Sequence, residues 1–309
     1  MASATPFRAS KLLQFFREVS GKRTLLGIHN DLKAGGPAYH SERMRDSIGR
    51  WPALWSGDFL FDERRDRRWD MVREAERQWR AGAVVNLMYH AAPPGMDEPC
   101  AWEGGVLSRL SDSEWIDLVT EGGVLNESWK ARLDTFVPYL AWLRDRGVEA
   151  LFRPLHEMNQ EKFWWGGRKG SDGSARLWRL TREYLRRGKG LDNLVWTWDV
   201  QDLRFDWEAY DPGEEAFDLL AVDVYQMGFT SELYRKALAL AGGKPMGLGE
   251  VARFPDAKTL AAQPGWAFVM GWADLAFESN TPERLRALAA DPRMLLREDM
   301  PGWDGTGLA

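Results

Sequence analysis

The chain has 309 residues, 44% of them hydrophobic and 28% charged, with a formal net charge of −5. That balance describes a globular protein with ample core material, and it lacks the basic excess of a general nucleic-acid binder. The single cysteine, Cys100, excludes an internal disulfide and a cysteine-built zinc site, and no apolar run reaches membrane-spanning length, so neither nucleic acid nor membrane is expected as a partner.

Taken from the N-terminus, Met1-Ala2-Ser3-Ala4-Thr5-Pro6 lacks the charged-then-apolar shape of a signal peptide. The protein is therefore expected in the cytoplasm, or secreted if a leader has been removed. A first apolar, β-leaning run covers residues 24–30 and a second residues 52–59. Residues 67–80 place Trp69, Val72, Ala75 and Trp79 at helical spacing. A third run, 83–90, opens into the longest irregular stretch, 91–126, rich in Gly and Pro. Residues 128–146 read as one amphipathic helix through Leu133, Phe136, Val137, Leu140 and Leu143, stopped by Gly147. Run 149–157 follows, then a very basic helix over 174–187, then runs 194–199, 219–225, 245–251 and 268–274.

The runs are nearly continuous rather than alternating, which suits strands buried on both faces of a parallel sheet. Eight such units in roughly 270 residues match a (β/α)8 TIM barrel, and the whole chain, 1–309, reads as one domain. A doubly wound open sheet fits less well, because Ile28-His29-Asn30 stands where a Gly-rich phosphate loop would follow the first strand. Polar residues also close the runs: His29, Asp58, His90, Glu157, Asp199, Asp223, Glu250 and Asp274. One barrel mouth would gather all of them, with stretch 91–126 walling a cleft beside it.

Two of these acids stand out. Glu157 closes Leu151-Phe152-Arg153-Pro154-Leu155-His156-Glu157, with Phe163-Trp164-Trp165 just beyond, and Glu250 closes Pro245-Met246-Gly247-Leu248-Gly249-Glu250. Strands four and seven face each other across a barrel mouth. Cleavage of a glycosidic bond takes two carboxyl groups around one sugar ring and an apolar surface to hold the sugar, and the chain carries 17 Trp. A rim salt bridge from Glu157 to Arg153 is the plain alternative, as is a core role for His90, His156 or Tyr225. A His/Glu metal centre from His29, His90, Glu157 and Asp223 lacks any His-x-x-x-His pattern, and no metal is expected.

Arg153-Pro154-Leu155-His156-Glu157-Met158-Asn159 with Phe163-Trp164-Trp165-Gly166 resembles the acid/base signature of family-26 glycoside hydrolases, the β-mannanase type. Gly27-Ile28-His29-Asn30, the segment ending in Asp58, the segment ending in His90, Val222-Asp223-Val224-Tyr225 and the Glu250 strand resemble further parts of that family. The resemblance implies a (β/α)8 barrel, a retaining mechanism and no cofactor. It makes Glu157 the acid/base and Glu250 the nucleophile, sets His90 and His156 beside the scissile bond, and has Tyr225 hydrogen-bond the nucleophile. Trp165 and Trp272 are the expected sugar platforms, and Asp58 and Asn159 complete the expected substrate-binding set. The expected partner is a polysaccharide or oligosaccharide, with β-1,4-mannan first and β-1,3-xylan, mixed-linkage glucan or an exopolysaccharide as alternatives, and the expected state is a monomer. A carbohydrate-binding barrel without catalysis is the reading from another class. The chain departs from the family pattern at Gln160 (commonly Gly), at Gly249-Glu250-Val251-Ala252 (more usually Thr-Glu-Phe-Gly) and at Ala273, where mannanases often carry an arginine.

Overall fold

Eight parallel strands close into a ring: β1 (Thr24–Asn30), β2 (Leu54–Asp58), β3 (Val84–Tyr89), β4 (Ala150–Pro154), β5 (Leu194–Gln201), β6 (Leu219–Val224), β7 (Met246–Val251) and β8 (Trp266–Gly271). The computed structural model describes residues 10–32 and 35–303; the opening residues 1–6, on which the leader reading rests, lie outside them. Each strand pairs with the next, and β1 pairs with both β2 and β8, which closes the (β/α)8 barrel. Every residue of the eight strands is buried. Side chains therefore meet the barrel interior on one face and the helices on the other, which is why these runs are continuously apolar. A two-residue strand, β9 (Met294–Leu295), pairs in parallel with Thr24 and Leu25 at the N-terminal end of β1.

The outer layer departs from the sequence reading in three places. The single helix expected over 128–146 is two helices, Val124–Asp134 and Val137–Asp145. Pro138 lies in the first turn of the second, where its missing N–H costs nothing; inside a continuous helix it would remove a hydrogen bond and clash with the preceding turn. The irregular stretch 91–126 contains a helix, Asp112–Val119, started by a capping box in which Ser111 and Glu114 satisfy each other's backbone N–H groups. The basic helix runs from Ser174 to Glu183 and ends in a π-turn, Tyr184–Gly188.

The wall formed by stretch 91–126 is pinned from beneath. Glu98 is bonded to Arg68 at 2.7 Å and Arg132 at 2.9 Å and accepts from the Tyr89 hydroxyl. At the opposite end of the barrel, Glu149 is buried just before β4. Its carboxylate accepts from the backbone N–H groups of Lys11 and Leu12, at 3.2 and 2.9 Å, and from Ser10 Oγ at 2.6 Å. A negative charge there satisfies the free N–H groups and the positive end of the helix Lys11–Val19, whose apolar face closes the barrel floor. Glu149→Ala is expected to cost about 2 kcal/mol of stability, since it removes charge-assisted hydrogen bonds at a buried site. A urea unfolding midpoint measures this, and kcat should hold because the change lies at the far end from the mouth.

Candidate active site

The backbone at the barrel mouth is irregular where the acids emerge. Among the described residues, four non-glycine residues have positive φ: Leu60 (55°), Leu155 (52°), Glu157 (48°) and Ala273 (39°). All four follow the C-terminal end of a strand, and such conformations persist only where their surroundings hold them. Run four therefore ends at Pro154 and not at Glu157, which is set by a left-handed turn whose N–H donates to Asp199 Oδ1 at 2.9 Å. Run eight likewise ends at Gly271, so Asp274 lies in the following helix. It is half-exposed and bonded to Arg43 at 2.9 Å and His40 at 3.2 Å; the other seven strand-end residues are buried, and Asp274 does not join them.

Strand β7 carries one more residue than its neighbours at this level. Val222 pairs with Leu248 but Asp223 with Glu250, and the β8 side shows a shift over the same interval. The extra residue, Gly249, breaks the two-residue alternation and re-aims Glu250. A side chain at Gly249 has no room: its Cβ would fall on Arg153 Nη1, Asp223 Oδ1 and Asp199 Oδ2.

Arg153 does not pair with Glu157. Its guanidinium is buried and bonds Asp199 at 2.9 Å, Asp223 at 2.8 Å and Glu250 by its second terminal nitrogen. Burial works against the Arg153 charge, yet the three carboxylates hold its pKa above the ordinary arginine value. Tyr225 donates its hydroxyl proton to the other oxygen of Glu250 at 2.9 Å. The loop carrying Tyr225 is held by Asp202, which accepts from the N–H groups of Tyr225, Gln226 and Met227.

Glu157 is buried, and one of its carboxylate oxygens lies within 4.8 Å of one on Glu250 and one on Asp223. Burial, then the neighbouring charge of Glu250, pushes the Glu157 pKa up to about 8, against the pull of Lys162 at 3.0 Å. Asp199 is raised to about 6 by burial despite Arg153, and Asp223 well above the ordinary carboxylate range for the same reason. The spacing of Glu157, Asp223 and Glu250 could suit a metal ion, but Arg153 already supplies a cation to two of them. His29 and His90 of the metal reading are bonded instead to Ser56 and Asp58.

Beside the acids opens a cleft of about 530 Å³ lined by His29, Asp58, Phe61, His90, Trp102 and Trp272. Asp58 accepts from the Leu60 and His90 N–H groups and bonds the His90 ring. Burial alone would raise the Asp58 pKa, but the His90 ring holds it well below the usual carboxylate range. His90 meets His156 edge-on at 4.4 Å, and burial keeps His156 neutral by driving its pKa far down. Trp272 stacks one face on His29 at 4.0 Å and is partly exposed; His29 is also neutral, its pKa lowered by burial to about 3.

Two expected ligand contacts are corrected. Trp165 is fully buried, stacked on Phe163 at 4.4 Å and bonded through its indole N–H to the His156 carbonyl, so it has no ring face to offer a sugar and supports His156 instead. Asn159 spends both ends of its carboxamide on the Gln201 backbone at 2.8 Å, clamping two loops together. Trp102, 39% exposed and carried by the wall 91–126, faces the cleft beside Trp272. Its loop position carries no periodic signal. Arg153 did carry one: a charge inside an apolar strand must find buried partners.

A closed parallel barrel with paired carboxyl groups at its C-terminal mouth, beside an aromatic-lined cleft, has the layout of a glycoside-hydrolase barrel. The chain belongs to glycosyl hydrolase family 26, whose family model matches residues 2–298. It is 32% identical to GH26A from Muricauda sp. MAR_2010_75, with a TM-score of 0.90 over 94% of this chain and 96% of that one. The GH26-CBM35 β-(1,4)-mannanase of Podospora anserina is 27% identical, with a TM-score of 0.80 over 98% of this chain and 72% of that one. A mannan endo-1,4-beta-mannosidase of Thermothelomyces thermophilus is 29% identical over 96% of this chain, which spans 62% of that relative's length.

The raised Glu157 pKa has a consequence for stability. The folded protein binds this proton more tightly than the unfolded chain, so the contribution is full below the ordinary value of 4.5 and is lost as pH rises toward 8. Glu157→Gln removes that loss. Its Tm should exceed the parent's by a margin that widens from about pH 5 upward, as calorimetry across a pH series would measure.

Proposed function

We propose that this protein is a retaining endo-β-1,4-mannanase. The observation that carries the reading is the separation of Glu157 and Glu250, with oxygens within 4.8 Å. Retaining enzymes hold their carboxyl groups about 5–5.5 Å apart, whereas inverting enzymes leave roughly 6.5–9.5 Å for a water. In the first step Glu250 attacks the anomeric carbon while Glu157 gives its proton to the departing glycosidic oxygen, leaving a glycosyl ester on Glu250. In the second, Glu157 as carboxylate takes a proton from water, the water oxygen displaces Glu250, and the sugar leaves with its starting configuration. The high Glu157 pKa suits the acid role. Arg153 and Tyr225 suit the nucleophile role, since Arg153 bonds one Glu250 oxygen and Tyr225 the other, which orients the carboxylate.

Mannan as substrate is supported by the mannanases among the relatives. Internal cleavage is supported by exposed and partly exposed apolar side chains at two stretches of the rim: Trp102 and Trp272 in the cleft, and Leu203 and Met227 in the segments after β5 and β6. Ala273, without an arginine's reach, favours testing glucomannan, β-1,3-xylan and mixed-linkage glucan beside mannan.

Glu250→Ala should abolish turnover, a loss of several orders of magnitude, and azide should restore it through a glycosyl azide of inverted anomeric configuration. A Glu250→Ala protein that keeps most of its activity on every substrate would overturn the assignment. In the parent, kcat/KM should trace a bell whose alkaline limb falls near pH 8 as Glu157 loses its proton.

A further inference from the structure

Lys162 makes a contact that the reaction described above does not use. Its ammonium lies 3.0 Å from Glu157 Oε2 and 4.6 Å from the centre of the Phe163 ring. The lysine side chain is 42% exposed, while the carboxyl it meets is 5% exposed. The segment that carries it is tied at several points: Gln160 N–H donates to the Glu157 carbonyl at 2.9 Å, Gly166 N–H to Phe163 at 3.0 Å and Gly167 N–H to Met158 at 2.9 Å. The ammonium is thus delivered to the acid by a constrained loop and an aromatic face.

The surroundings of Glu157 leave this charge a specific task. Glu250 from β7 and Asp199 from β5 oppose its ionisation, and a carboxylate oxygen of Asp223 from β6 lies within 4.8 Å. Arg153 from β4 is committed to those three carboxylates, and Tyr225 to Glu250. His156 is neutral, and His90 behind it is bonded to Asp58. Among the described residues, Lys162 is left as the cation in contact with Glu157.

We propose that Lys162 is a positioning residue for the acid/base step, its ammonium orienting the Glu157 carboxyl in the empty site and favouring the ionised form that the second step uses as base. The proposal rests on the reading of Glu157 as the acid/base.

The test is the pH dependence of kcat/KM for the parent, Lys162→Met and Lys162→Arg, together with Glu157→Ala on an aryl glycoside whose leaving group needs no protonation. Methionine keeps the apolar stem over Phe163 and removes the charge. Without the cation Glu157 holds its proton to higher pH, so the alkaline limb of Lys162→Met should move up by about one unit, and Lys162→Arg should restore the parent's limb. Added salt should move the parent's limb the same way, because the lysine is partly exposed. If Glu157→Ala keeps the parent's alkaline limb, the reading of Glu157 itself fails. If that limb disappears in Glu157→Ala while Lys162→Met and the parent coincide, the Lys162 proposal alone is overturned.

Discussion

One guanidinium, that of Arg153, sits fully buried against Asp199, Asp223 and Glu250. Burying a charge is costly unless it is paired and hydrogen-bonded, and here the pairing runs in both directions. With Lys162 beside Glu157, two cations face four acids, so protons make up the difference. The pKa directions show where they go: Asp223 and Glu157 are raised most and hold theirs, while Asp199, raised only to about 6, takes a backbone N–H and an arginine N–H. Arg153 thereby sets how much negative charge the buried carboxyls at this mouth can carry together. Removing it would leave several buried acids without a counter-ion, and function and stability would be lost together.

Around that centre the barrel departs from regular geometry mainly at the mouth, where Glu157 and Glu250 emerge. Below the mouth, eight strands run parallel and fully buried, with one register shift between β7 and β8 beside Met246. At the mouth, Glu157 takes a left-handed backbone, β7 gains a residue at Gly249, and Ala273 turns the chain after β8. These features cost conformational energy that the interior below them offsets. Gly249 shows the constraint most directly, because the space its side chain would occupy is filled by the arginine–carboxylate cluster. The departure from the family pattern at that position follows, in this chain, from close approach.

The barrel is legible in the sequence because burial on both strand faces leaves a simple mark, a continuous apolar run closed by a polar residue. The ends of runs four and eight are not legible: left-handed turns at Leu155, Glu157 and Ala273 leave no compositional trace when the residues are not glycine. Glu157 and Glu250 are legible as acids in apolar surroundings, whereas their partners divide. Arg153 is marked by its place inside a strand. Lys162 and Trp102 sit on loops where a lysine or a tryptophan is unremarkable, and only the tertiary structure brings Lys162 to Glu157 and Trp102 to the cleft. Trp165 shows the opposite error. An aromatic beside a catalytic motif looks like a sugar platform, but the ring nearest in sequence is the one packed beneath the site.

The same electrostatics can serve both halves of the proposed reaction without moving a residue. Before attack, the charge on Glu250 repels a charge on Glu157 and helps keep the proton there. Once Glu250 is esterified by the sugar, that repulsion is gone, while Lys162 remains in place. The balance at Glu157 then tips toward the carboxylate, as an incoming water requires. A single acid can work first as donor and then as base because its strongest opposing charge belongs to the nucleophile itself. The close spacing of the two carboxyls, which suits the retaining geometry, is also what couples the proton on one to the bond made by the other.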